Sequence, residues 1–213
     1  MSDGFETLVP DARSFLRDLS ANNNRDWFLD HKSRYEDQLK APALALLDVT
    51  GAELEKRTGA PVETKLFRPH RDVRFSKDKT PYHTHLHMLW SGGGMGWFLG
   101  IAPDYVSAGA GVFGFDKSQL TTWREMVDND GDAIAATLTG LQDKGARLGE
   151  PELKRVPAPF DKEHPHGALL RRKGVHLWFD TDEATLKKDG LTQWVSAAFS
   201  ELLPVQTALR PLL

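Results

Sequence analysis

The chain has 213 residues, 40% of them hydrophobic and 27% charged, a composition that suits one folded globular domain and excludes intrinsic disorder. It has no cysteine, so a disulfide framework, thiolate metal sites and a cysteine nucleophile are all excluded. The 27 basic and 30 acidic side chains leave a net charge of -3, so no global cationic field draws nucleic acid and any anion site must be local. No stretch approaches the roughly 20 apolar residues of a membrane span, and MSDGFETLVP lacks the features of a signal peptide. A cytoplasmic location with no membrane partner is expected.

Phe15, Leu16 and Leu19 recur at helical spacing between Pro10 and Ser20, which predicts a first short helix. The asparagines 22–24 offer an N-cap to a second helix carrying Phe28, Tyr35 and Leu39. Pro42 should kink or restart it before Leu46, Leu47 and Leu54, and Gly59 and Pro61 end this helical lobe, residues 1–60. Residues 61–115 change to aromatic and β-branched alternation with glycine-rich turns, which predicts an antiparallel sheet. Its strands are expected at 66–75, 83–90, 97–102 and 105–112, the first interrupted or at an edge because Pro69 cannot donate to a ladder. In the third part, 116–213, Ser118 is a candidate cap for a helix with Leu120, Trp123 and Val127. The DNDGD turn precedes another helix at 133–141. A long connection over 151–165, a strand at 175–179 and a closing helix over 183–203 complete a single α+β domain with helices packed on a mainly antiparallel sheet.

The strongest functional signal lies between Lys65 and Lys79. Six basic residues, Lys65, Arg68, Arg71, Arg74, Lys77 and Lys79, face two acidic ones, Asp72 and Asp78, giving +4 inside a chain of -3. On one face of an extended segment, Arg68 and Arg74 could present guanidinium forks to phosphate or carboxylate, Lys77 and Lys79 could add point charges, and Ser76 could add a hydroxyl. Asp72 would orient an arginine. The alternative is a structural network in which the aspartates hold the arginines in ion pairs.

The stretch FRPHRDVRFSKDKTPYHTH, residues 67–85, resembles the signature FR-x-x-RD-x-RFSKDK-x-PY of a widespread conserved hypothetical family, a domain of unknown function. FLRDLSANNNRDWFLDHKSRYED resembles that family's opening helices, and LKRVPAPFDKEHPHGALLRRK its C-terminal block. The resemblance implies that functional residues come from Asn23, Arg25, Trp27, Phe28, the matching positions between Arg68 and Tyr82, His85, His164 and Pro165. It implies no reaction type. His83 departs from the family, where lysine is common.

His83, His85 and His87 alternate, and neighbours of an HxH pair can grip one metal ion. Same-face positions lie roughly 7 Å apart, however, so all three on one ion is poor geometry and His83 with His85 is the weaker alternative to no metal. Residues 109–114 spell G-x-G-x-x-G, but antiparallel strands surround them, so close backbone packing or a bulge is expected and no dinucleotide cofactor is implied. Asp128 to Asp132 lack the glycine and glutamate of a calcium loop. Arg171, Arg172 and Lys173 form a second basic knot, either a helix C-terminus or a ligand contact. Three functions compete: a pocket for an anionic small molecule, with His85 and then Asp78 as acid-base candidates if it is catalytic; a nucleic-acid module with stacking aromatics; or a ligand-free Arg/Asp network.

Overall fold

The computed structural model describes residues 4–213. Helix α1 (Leu8–Ala21) buries Phe15, Leu16 and Leu19, the face that its spacing marks. Asn24 caps α2 (Arg25–Asp30) by accepting the Trp27 N–H at 3.0 Å. One turn, α3 (Lys32–Arg34), leads into a π-helical turn at Tyr35–Lys40 and then α4 (Ala41–Thr58). The expected restart at Pro42 is present, because α4 begins at Ala41 behind the π-helical turn. The wide turn before it, closed by the Ala41 N–H on the Glu36 carbonyl, takes up the missing donor and places proline in the first turn of α4. Gly59, at φ 68°, closes α4 in the left-handed conformation that glycine adopts without steric cost.

The sheet has six strands: β1 (Glu63–Leu66), β2 (Leu86–Gly92), β3 (Met95–Ile101), β4 (Val106–Val112), β5 (Arg147–Leu148) and β6 (Val175–Asp180). Their order is β1-β2-β3-β4-β6-β5, every pair antiparallel. Gly93 and Gly94 turn β2 into β3 at φ 60° and 77°, as a two-residue hairpin requires. The first expected strand is far shorter than the sequence suggests, because the chain leaves the sheet after Leu66 and returns only at Leu86. His83 and His85 therefore precede β2.

Register sorts the two faces. Met88, Trp90, Trp97, Leu99, Ala108, Ala110, Val175 and Leu177 face the helices and are buried. Trp90 donates its indole N–H to the Leu47 carbonyl of α4 at 2.8 Å, and Trp90 and Trp97 both pack on Phe199. Each such fully buried aromatic contributes about 2–3 kcal/mol. The opposite face carries His87, Leu89, Phe98, Ser107, Gly109, His176, Trp178 and Asp180, in part open to solvent. Antiparallel sheets tolerate such a half-wet arrangement.

Beyond β4, α5 (Lys117–Asp143) is two helical stretches joined end to end across a kink, in line with the two helices expected on either side of the DNDGD segment. The DNDGD segment survives as a kink, with Asp130 at φ -142°. The cap is Asp116, not Ser118: its carboxylate accepts the Gln119 N–H at 2.9 Å while Gln119 reaches back to the Asp116 N–H. The connection through 151–165 runs without regular structure to α6 (Gly167–Leu170). The closing helix is divided into α7 (Glu183–Asp189), α8 (Leu191–Glu201) and α9 (Leu203–Leu209). Gly190 at φ 80° and ψ 154° breaks the first junction. Together these elements form a single α+β domain, and among the described residues no helix is long and apolar enough to cross a membrane.

Candidate functional site

Between β1 and β2 the signature segment forms a hairpin-like excursion. Three backbone contacts zip its arms: a His70–Tyr82 bridge, the Arg71 N–H on Pro81 O at 2.8 Å, and the His83 N–H on Pro69 O at 2.7 Å. Its tip is tied by charge. Arg71 bonds to Asp78 Oδ2, to the Thr80 carbonyl at 3.1 Å and to the Thr80 hydroxyl. Arg74 grips Asp72 through Nε at 3.0 Å and Nη2 at 2.7 Å, and Lys79 Nζ donates to the Val73 carbonyl at 2.9 Å. The Thr80 N–H, then Arg71, then the Thr80 hydroxyl hold the Asp78 carboxyl down at about 2. The bonds from Arg74 likewise lower Asp72.

The excursion is also fastened to the helical lobe. The Asn23 amide donates to Tyr82 O at 2.9 Å and accepts the Tyr82 N–H at 3.1 Å, a side chain standing in for a paired strand. Phe28 stacks on the Tyr82 ring at 4.1 Å between centroids and 15° between planes. Two blocks that the sequence separates by almost 60 residues thus make one clamp, and it gives Asn23, Phe28 and Tyr82 structural roles.

Three imidazoles descend from the excursion onto the open sheet face. His83 lies 4.7 Å from His85, and His85 stacks on His87 at 3.6 Å and 12°. Burial, followed by the neighbouring histidine, lowers His85 to about 4 and His87 to about 3. Burial and then Arg71 and Arg68 lower His83. All three rings are neutral near pH 7 on these grounds. Face-to-face stacking does not converge their nitrogens, and among the described residues no group of three or more His, Asp or Glu side chains could hold one metal ion.

The last ring enters a cleft of about 480 Å³ on the open face. His87 Nε2 lies 2.8 Å from the Tyr105 hydroxyl, and Phe98 and Trp178 form aromatic walls, their rings 5.0 Å apart. Across the cleft, Arg147 and Ser107 both bond to Asp180; Arg147, then Ser107, depresses the Asp180 carboxyl. Gly109 makes room for the indole: a Cβ there would lie 2.4 Å from Trp178 Cε3. The close packing expected of the glycine motif is present, within an antiparallel strand.

Of the anion-binding candidates, Arg74 is forked onto Asp72 and Lys79 is bonded to the backbone, while Arg68 and Lys77 are exposed and make no ion pair among the described residues. Ser76 lies at the tip, its N–H on the Val73 carbonyl at 3.3 Å. Asp78 is fully engaged as a counter-ion. His85 joins the cleft only through His87. Tyr105, Ser107, Arg147, Trp178 and Asp180 were not singled out from sequence. The period-two alternation of HLWFD, which places His176, Trp178 and Asp180 on one strand face, and the glycines on the matching face of β3 and β4, are the signals that mark them.

A larger groove of about 940 Å³ runs between α5 and α9, but its walls carry Glu125 and Asp130 and no basic side chain, so it offers an anion nothing. A further cavity of about 430 Å³ lies along the C-terminal connection. No curated protein and no solved structure matches the chain. Residues 11–207 match a family described as conserved hypothetical protein, and with nearly the whole chain covered, this protein belongs to that family, DUF2461.

Proposed function

We propose that the protein binds an anionic small molecule, bearing phosphate or carboxylate, along the histidine ladder. Arg68 meets the charged group and the body of the ligand rests in the cleft between Phe98, Trp178 and Tyr105. One observation carries this reading: three imidazoles, His83, His85 and His87, form a column that starts beside the cationic excursion, where Arg68 is exposed, and whose other end walls an open aromatic cleft. The volume falls within the usual range for small-molecule sites, and so does the mixture of aromatic walls with a few convergent polar groups. The neutral rings give the ligand hydrogen-bond partners. An arriving anion also offsets part of what keeps them unprotonated, so binding is coupled to proton uptake. If the site turns over its ligand, His85 and His87 act from the neutral state, as proton acceptors.

A thermal-shift screen of phosphates, sugar phosphates, nucleotides and carboxylates tests the proposal, since a ligand at about 100 times its Kd stabilises the folded state by about 2.7 kcal/mol. The expected hit raises Tm of the wild type and fails on Arg68→Ala and on Trp178→Ala, each checked for folding by circular dichroism. A hit that Arg68→Ala retains, or no hit at all, sinks the proposal. Single-stranded nucleic acid is a second reading, supported by the aromatic rings on the open sheet face, Phe98, Trp178 and the exposed Phe113. Tight, salt-dependent binding of an oligonucleotide that Phe113→Ala weakens would select it.

A further inference from the structure

We propose that the C-terminal connection builds a second, separate anion site, which takes a small organic molecule carrying two or more phosphate groups. The cavity of about 430 Å³ is bordered by Lys154, Arg155, Lys162 and Arg171, with His164 at its rim and Val156 on its apolar side. No aspartate or glutamate borders it. Among the described residues none of the four cations makes an ion pair, whereas Arg34, Arg57, Arg71, Arg74 and Arg147 each hold a carboxylate. Four positive groups around one cavity repel one another, and a chain with an excess of acidic residues has ample means to neutralise them. The neighbouring acidic groups Glu150, Glu152 and Asp161 are engaged elsewhere. Glu150 and Glu152 act on the buried Arg172, and Glu152 also accepts the Lys173 N–H at 2.7 Å. Asp161 accepts the Glu163 N–H at 2.9 Å.

The walls are built and not merely strung together. The Leu153 N–H on Arg171 O at 3.0 Å ties the arm bearing Lys154 and Arg155 to the end of α6. Turns at 161–164 and 164–167 follow, closed at 3.1 and 2.9 Å. His164 Nδ1 accepts the His166 N–H at 3.0 Å, which leaves the proton on Nε2, toward Asp128 at 3.2 Å. Arg171 bonds through Nε to the Gly167 carbonyl at 3.3 Å, so its two terminal nitrogens are free to form a fork on a phosphate. The volume exceeds what one inorganic anion fills and lies at the small end of organic ligand sites. Two guanidiniums and two ammoniums match the charge of a diphosphate better than that of one carboxylate. This site shares no lining residue with the aromatic cleft, and its case does not depend on the function proposed above.

The test is isothermal titration of the full chain at low ionic strength with pyrophosphate and ADP, against inorganic phosphate and sulfate. Single-site binding of pyrophosphate and ADP, at least about tenfold tighter than sulfate, is expected, and loss of one charge-assisted contact in Arg155→Ala weakens it by about tenfold. Lys162→Glu added to Arg155→Ala abolishes it. Both side chains are exposed, so the variants keep the wild-type melting profile, and Arg68→Ala leaves this binding unchanged. Equal weak affinity for every anion, absence of binding, or loss in Arg68→Ala alone overturns the proposal. So does a single-stranded oligonucleotide that outcompetes pyrophosphate and responds to the same variants.

Discussion

Acidification charges the histidine ladder, and its burial sets the cost. An imidazole ordinarily titrates near 6.5, whereas His85 and His87 are held at about 4 and about 3 in the folded chain. Between pH 6.5 and those values the unfolded chain takes up protons that the folded chain refuses, so stability is intact above pH 6.5 and is lost as pH falls. From pH 6.5 to 4.5, one such ring loses at most about 2.7 kcal/mol, at 1.36 kcal/mol for each pH unit. Both rings are partly solvated, which reduces this to about 1 kcal/mol each, or about 2 kcal/mol for the pair. His83 and His176 shift in the same direction, so the comparison needs a variant that removes only the central pair. Urea unfolding of the wild type and of His85→Gln/His87→Gln at intervals from pH 7 to 4.5 makes that comparison. The wild type should lose about 2 kcal/mol more than the variant over this window. Asp72 and Asp78 titrate below it and do not interfere. Parallel curves, with ring proton shifts moving near pH 6.5 by NMR, would show that the column is solvated and the reasoning wrong.

Further outcomes follow from individual contacts. Asn23→Ala strips both partners from the Tyr82 backbone and should cost about 1–3 kcal/mol in urea unfolding, with faster amide exchange through the excursion. Arg71→Ala should raise exchange at residues 72–80, whereas Arg68→Ala should leave it unchanged, because Arg71 alone of the two holds Asp78 and Thr80. Gly109→Ala must displace the Trp178 indole, which predicts a loss of about 1–3 kcal/mol and a shifted tryptophan emission.

The sequence was most legible where one periodicity ruled. The face of α1, the hairpin glycines of β2–β3 and the termination at Gly59 all follow from local chemistry. The excursion was not legible as such, because an alternating stretch containing Pro69 satisfies a strand pattern equally well. What removes it from the sheet is tertiary: the Asn23–Tyr82 pairing and the Arg71–Asp78 bond. The same limit applies to the site. Charge counting found the cationic signature but could not tell the paired Arg71 and Arg74 from the unpaired Arg68. Asp116 in place of Ser118 as the cap of α5 is a smaller case, decided by which oxygen reaches the Gln119 N–H.

The kink in α5 bears on how distant parts of this fold move together. Asp128 and Asp132 stand on either side of Asp130 and hold His164 and His166, at 3.2 and 2.9 Å. The His166 ring passes so close to Gly131 that a Cβ there would lie 2.3 Å from it, which leaves the bend no slack. The bent helix and the cationic loop are therefore geared: a change in the bend at Asp130 changes the spacing of the two aspartates and pulls on the turn that carries His164 beside the cavity.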